Sequence, residues 1–529
     1  MSCPWWLRLL VLWAPMARCV TCLSQEAVEL PHPGITLLDA LKTTLEQNPD
    51  LQLQVQQLES SKGVLRASAG AFDLSINAAY LQNHLTNPLT AAQAAQYALA
   101  GLIVDAQAQN NTTYTIETPK LFRNGVSIDP TATLTRTTDN ISTRQGLNQS
   151  QVAFQINIPL LRGRGRDAVD AQEKSAGSTV QANVRDVNQE VALLLATTAI
   201  QYWNAVAAAQ NLEIAKDSET RGEKYLQDVQ MLIDKDRVAR GEINQLVANL
   251  ANRKATGIAA EQQLATARQN LALAMGLSAS QLVELPETLD NLPDWAIEGD
   301  PRVTPALTNR FVSSALKLRA DVIAADFQVT AAKQLLPAAQ NQLLPQLNAS
   351  LSTGYNGIAT GTPYGKPFGA LFDNVRGANV TGSITYSFPP RNDTAAGQWT
   401  QARAAFQAAV LNRDRVARTA ASSVVTATTG LSFSVSALRQ AREAVGYYRL
   451  ALNNEVEKFH LGRNTLVNVT TMEDYLNSAL LAEVSAHLGY AVALANLRFA
   501  TGTVVDASVP VQSVDKTIFL QPPFEWGNE

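Results

Sequence analysis

Residues able to do chemistry are few in this chain and poorly placed for it. The four histidines, His32, His84, His460 and His487, are far apart and lack metal-ligand spacing. Cys3, Cys19 and Cys22 all lie near the start, where Trp5-Trp6-Leu7-Arg8-Leu9-Leu10-Val11-Leu12-Trp13-Ala14 reads as the apolar core of an export signal. The Cys-x-x-Cys spacing of Cys19 and Cys22 therefore belongs to a discarded leader, residues 1–26, rather than to a redox or zinc pair. Arg18 and Thr21 sit where a lipid-modified cysteine needs small residues. Gly163-Arg164-Gly165 is glycine-rich but lacks a nucleotide fingerprint, and there is no nucleophile elbow or phosphate loop. A net charge of −4 with no basic tail gives no case for nucleic acid. No enzyme, metal or cofactor is expected. The chemistry on offer is the partition of side chains between lipid and water.

That partition is written in four alternating stretches. One face of each is apolar: Phe72, Leu74, Ile76, Ala78 and Tyr80; Val152, Phe154, Ile156 and Ile158; Leu347, Ala349, Leu351, Thr353 and Tyr355; Val380, Ile384, Tyr386 and Phe388. The intervening positions are Asp73, Ser75 and Asn77; Gln155 and Asn157; Asn348, Ser350 and Ser352; Thr381, Ser383, Thr385 and Ser387. Each run has about the nine to eleven residues that a tilted strand needs to cross a bilayer, with a greasy outside and a wet inside. Four strands cannot close a membrane barrel, and an open edge cannot sit in lipid, so the barrel must be shared between subunits.

Long helices position these strands. After Pro159 and the basic hinge Leu160–Asp167, a heptad seam runs through Val184, Val187, Val191, Leu194, Thr198, Ala205, Ala208 and Leu212. The chain has no proline between Leu160 and Leu285, so one helix of some sixty residues, about 90 Å, is expected. The same strand-to-helix join recurs after Pro389-Pro390, with a second seam through Phe406, Val410, Val424, Leu431, Leu438, Val445 and Leu452. The chain is thus a duplication. The first repeat spans 27–285, with a helix, two strands separated by a partly structured polar excursion over 83–148, and a helical hairpin. A linker over 286–305 follows, then a second repeat over 306–503, whose first helix is expected to kink or break at Pro337, and a tail over 504–529. The fold class is mainly α with a membrane β-barrel contribution.

Leu37–Leu41 with Asn48-Pro49, Ile158–Gly163, Arg240–Ile243, Gly276, Leu318–Val322, Lys458–Thr465 and Gly502 follow one another in an order that resembles the TolC family of outer-membrane efflux proteins. Leu37-Leu38-Asp39-Ala40-Leu41 with Asn48-Pro49 echoes the family's opening, and Leu318-Arg319-Ala320-Asp321-Val322 its second opening, with Ala320 in place of the usual Pro. Ile158-Pro159-Leu160-Leu161-Arg162-Gly163 looks like its strand-to-helix exit. Lys458–Thr465 is similar to its second hairpin tip, Arg240-Gly241-Glu242-Ile243 to the first, and Gly276 and Gly502 match the glycines closing the returning helices. The resemblance implies a homotrimer in the cell outer membrane, with four strands per chain in a twelve-stranded barrel and a helical tunnel through the periplasm. It implies a passive export duct opened by a periplasmic adaptor and an inner-membrane transporter, which dock near Gly241, Glu242, Gly462 and Arg463. A type I secretion duct for proteins or peptides is the alternative within that class, and a periplasmic coiled-coil adaptor is the alternative outside it. Some family members carry gate aspartates six and nine positions after the tip glycine; here those positions are Asn468 and Thr471. Of the nearby carboxylates, Glu473 points largely away from Asn468, and Asp474 is the better substitute.

Overall fold

The computed structural model describes residues 34–234, 242–278, 281, 287–294, 304–363, 365–375, 377–461, 463, 465–505 and 516–521. The leader with its cysteines and His32, the tip residues Gly241 and Gly462, half of the linker and most of the tail lie outside them.

The first repeat begins at Thr36, whose hydroxyl accepts from the Asp39 amide while the Asp39 carboxylate accepts from Thr36, a reciprocal cap on helix α1 (Leu37–Gln47). The sequence predicts continuation through Asn48. The chain instead breaks there, because a residue before proline is driven out of the helical region, and Asn48 adopts φ −63°, ψ 122°. Asn48 then caps α2 (Pro49–Gly70) by accepting from the Asp50 amide. The second repeat breaks at the equivalent place, Arg319, between α5 (Pro305–Leu318) and α6 (Ala320–Asn341). The break expected at Pro337 is absent. That proline forfeits one backbone bond near the end of α6, and the helix carries the loss.

The sheet differs from expectation in number. Six long strands, β1 (Asn77–Pro88), β2 (Ala106–Glu117), β3 (Ser127–Asp139), β4 (Leu147–Pro159), β5 (Gln346–Thr360) and β6 (Asn379–Ser387), follow one another in that order, all antiparallel. The extra pair, β2 and β3, comes from the polar excursion and lies between the first two predicted strands. The first strand also starts later than expected. Phe72, Leu74 and Ile76 precede β1, in the turn and extended segment after α2, and Phe72 is buried under the Arg123 guanidinium, 4.8 Å from its ring centroid. Phe72 is therefore not a lipid-facing strand residue.

From β4 the chain passes through the hinge glycines Gly163 and Gly165, at φ 84° and 98°, into α3 (Ala171–Asp234), and returns as α4 (Glu242–Met275). From β6 it passes through Asn392, in the left-handed region, into α7 (Asp393–His460), and returns as α8 (Leu466–Thr501). At 64 and 68 residues, α3 and α7 are about 100 Å long. Stretches of α3, α7 and α8 are apolar enough to cross a bilayer by length and composition. The α3 stretch is mostly buried in the fold, whereas those of α7 and α8 are mostly exposed.

The main core lies around the middle of α3, where Tyr202 and Trp203 pack edge-on against each other amid Ile35, Leu37, Leu41, Leu271, Met275, Ala491, Ala495 and Phe519. A short parallel ladder joins Gly34–Ile35 to Glu287–Thr288, so the described part of the linker clasps this waist. The Tyr202 hydroxyl bonds both the Ile35 carbonyl and Asp290 at 3.0 Å, and burial raises its pKa.

Candidate functional site

The strand register sorts the sheet into two faces. Phe154, Ile156 and Ile158 lie opposite Thr353, Leu351 and Ala349, while Tyr386 and Ile384 face Leu347 and Ala349. The predicted apolar residues Phe154, Ile156, Ile158, Leu347, Leu351, Tyr355, Ile384 and Tyr386 therefore share one face, with Phe388 just beyond β6. Tyr80, Tyr114, Ile116, Ile128, Ala132 and Leu134 continue it across the inserted strands, and the Tyr80 and Tyr114 rings stand 5.2 Å apart. The other face is hydroxyl and amide. Thr113 pairs with Thr135 at 3.5 Å and Ser350 with Ser383 at 2.7 Å, directly across the strands. Such a sheet has one apolar and one hydroxyl-and-amide face.

The inserted hairpin is tied down at its helix-side turn. Arg123 donates twice to the Glu173 carboxylate, both at 2.7 Å, fixing the turn between β2 and β3 to the first turn of α3. The same contact holds the Glu173 carboxyl below the usual carboxylate range.

At the far end the two hairpins meet around Val229, Ile233, Leu246, Val445, Leu452, Leu466, Val469 and Leu476. Set into this apolar contact is an ionic cluster. Glu473 of α8 is fully buried and accepts from Arg221 Nε of α3 at 2.6 Å. Its other oxygen lies 3.0 Å from Arg253 Nη1 of α4 without an aligned N–H, so that contact is Coulombic. Arg253 donates to the Ser218 carbonyl at 2.9 Å and to Asp474 at 3.1 Å, while Arg221 also donates to Asn477 at 2.8 Å. One carboxylate thus bridges both helices of the first hairpin to the second.

Of the residues proposed from sequence for the gate, Asn468 is exposed in the first turn of α8. Thr471 turns its hydroxyl back to the Val467 carbonyl, 2.8 Å away. Asp474 is exposed and joined to Arg253. Glu473 is the partner that sequence reasoning set aside: it does point away from Asn468, but into a buried ion cluster. At the tips, Glu242 is the first residue of α4, and the Arg463 amide bonds the Lys458 carbonyl.

A sheet with one apolar and one polar face, open at both edges and continued by two helical hairpins of this length, is the fold shared with outer-membrane channels. The sequence model of the family described as "Outer membrane efflux protein" matches residues 311–503, nearly all of the second repeat. No curated protein matches the sequence. Among solved structures, the outer-membrane channel OprN superimposes with a TM-score of 0.64 at 16% identity, covering 90% of this chain and 91% of its own. The CmeC outer membrane channel of Campylobacter jejuni gives 0.63 at 14% identity, with 90% and 87% covered. The outer membrane protein VceC of Vibrio cholerae gives 0.62 at 17% identity, with 88% and 96% covered. At these identities the likeness is one of fold, and the family match is what ties the second repeat to outer membrane efflux proteins.

Proposed function

We propose that this protein is the outer-membrane duct of a tripartite export system. The observation that carries this reading is the continuous path from a two-faced, edge-open antiparallel sheet through positive-φ hinges, Gly163 and Gly165 on one side and Asn392 on the other, into helices about 100 Å long. Lipid takes the Phe154–Ile156–Ile158 face, water takes the hydroxyl face, and further copies of the chain close the open edges. The helices reach through the periplasm as a shared tunnel. Exposed Leu411, Phe433, Tyr447 and Leu450 on α7 supply apolar surface for neighbouring subunits. Three copies suit the resemblance in motif order and give twelve long helices. A coiled-coil adaptor, the reading from another class, needs no such sheet.

The duct opens when the Glu473 cluster separates, letting the α3–α4 hairpin move away from α8. An adaptor and an inner-membrane transporter engage the tips around Glu242 and Arg463, together with Gly241 and Gly462. The decisive experiment extracts the protein from outer membrane in detergent and records it in planar bilayers. Heat-modifiable trimers that conduct in small steps support the duct, and a monomer released without detergent overturns it.

A further inference from the structure

Resting on the duct reading, we propose that each chain contributes six strands to the barrel, so that three chains close eighteen strands through the β1 edge of one copy and the β6 edge of the next. The closing partner of each free edge is a second copy of this chain.

Three observations lead there. First, the inserted strands are as tall as the rest. β3 pairs with β4 over Ser127–Thr137 against Leu147–Asn157, and β4 pairs with β5 over Leu147–Pro159, so β3 spans the height of the wall. The turn between β2 and β3 reaches the helix end, where Arg123 grips Glu173 and the Gly165 amide bonds the Asn124 carbonyl at 3.2 Å. The hairpin is therefore part of the wall and not an external flap.

Second, the hairpin keeps the two-faced pattern. Ile116, Ile128, Ala132 and Leu134 continue the apolar side, while Thr113, Thr115, Thr131, Thr133 and Thr135 continue the hydroxyl side. Strands placed outside lipid would have no need of a dry face in register with Phe154 and Ile156.

Third, the edges fit each other. Among the described residues, β1 pairs only with β2 and β6 only with β5, and every residue of both edge strands is exposed. Hydrocarbon leaves no partner for those backbone groups, so each edge must be paired. An even number of alternating strands makes the two edges of a chain run in opposite directions. Joining β1 to the next copy's β6 therefore continues the antiparallel ladder without a break. Barrel diameter grows roughly linearly with strand number, so eighteen strands make a mouth about one and a half times as wide as twelve. The twelve-helix tunnel beneath is unchanged. The passage then narrows from barrel to tunnel, and the helices, not the barrel, limit what passes.

The test uses full-length trimers in native outer membrane, each with one introduced cysteine, and the unaltered protein as blank. Ile116→Cys and Ile128→Cys should react with a lipid-soluble maleimide and resist a charged, membrane-impermeant one, at least tenfold more slowly. Thr115→Cys and Thr133→Cys should show the reverse. Electron images of the purified trimer should show a barrel about one and a half times the twelve-strand diameter. Trimers in which all four positions react equally with the charged reagent, or whose barrel has the twelve-strand width, overturn eighteen-strand closure and leave the duct standing. Absence of any membrane-extracted trimer overturns both.

Discussion

A single buried carboxylate, Glu473, holds the far end of the molecule together by pairing with two guanidiniums that arrive from different helices. Breaking a buried ion pair by removing one partner costs about 3–5 kcal/mol, because the stranded charge remains. Arg221 is a third exposed, which places Glu473→Gln toward the lower end of that range. The expected outcome is an intact trimer with a loosened tip, read as a several-fold higher single-channel conductance; wild-type conductance in the variant would remove the cluster from the gate. Asn468 and Thr471 lie about 300° apart on the helical wheel, broadly on one side. The double substitution Asn468→Asp with Thr471→Asp adds six charges per trimer and should confer block by multivalent cations added on the periplasmic side. Unchanged block would place both positions away from the lumen. The uncharged character of these two positions was legible in the sequence, and so was the turn of Glu473 away from Asn468. Its partners were not, because Arg221 and Arg253 are distant in sequence and look like ordinary solvated helix charges until the hairpins are laid side by side.

At the scale of elements, the duplication is recorded in how each returning helix ends. Asn48 Nδ2 donates to the Ala274 carbonyl at 2.9 Å and Arg319 Nη1 to the Ala500 carbonyl at 3.3 Å, in each case two residues before the closing glycine. A Cβ on Gly276, at φ 78°, would stand 2.5 Å from the Asn48 Cα, and one on Gly502 would stand 3.1 Å from the Arg319 amide. Gly276→Val should therefore strain both the helix end and the α1–α2 break. Loss of about 2 kcal/mol or more is expected, seen as a lower temperature of trimer dissociation; an unshifted temperature would contradict the packing. On the wall, Ile156→Asp should sharply reduce trimer yield in outer membrane, by about 2 kcal/mol or more at mid-depth, whereas Asn157→Asp on the hydroxyl face should not. Equal yields would remove the lipid-facing assignment. The long helices and four strands could be read in advance because heptads and apolar alternation are strong periodic signals. The β2–β3 hairpin was legible only as a partly structured polar excursion, not as two strands of the sheet. Its Thr131-Ala132-Thr133-Leu134-Thr135-Arg136 run alternates hydroxyls with small or mixed side chains, and the dry face emerges only when its neighbours supply Tyr80, Val152 and Phe154.

At the scale of the whole molecule, the described chain is, in the proposed trimer, a third of an object. Its sheet edges are unpaired among the described residues and α7 exposes large apolar side chains, and in the proposed assembly other copies cover both. Those edges also set a rule of inheritance for defects. A subunit whose free strand is blocked, for instance by proline, still offers a sound edge on its other side and enters an assembly that it cannot complete. Expressed one-to-one with normal chains and mixing freely, it should leave roughly one assembly in eight free of the defect, since all three members of a closed ring must be sound. Residual export near one half would mean instead that defective chains are sorted out before the ring forms. A lesion here is thus dominant, and the harm of one bad copy outruns its share of the pool.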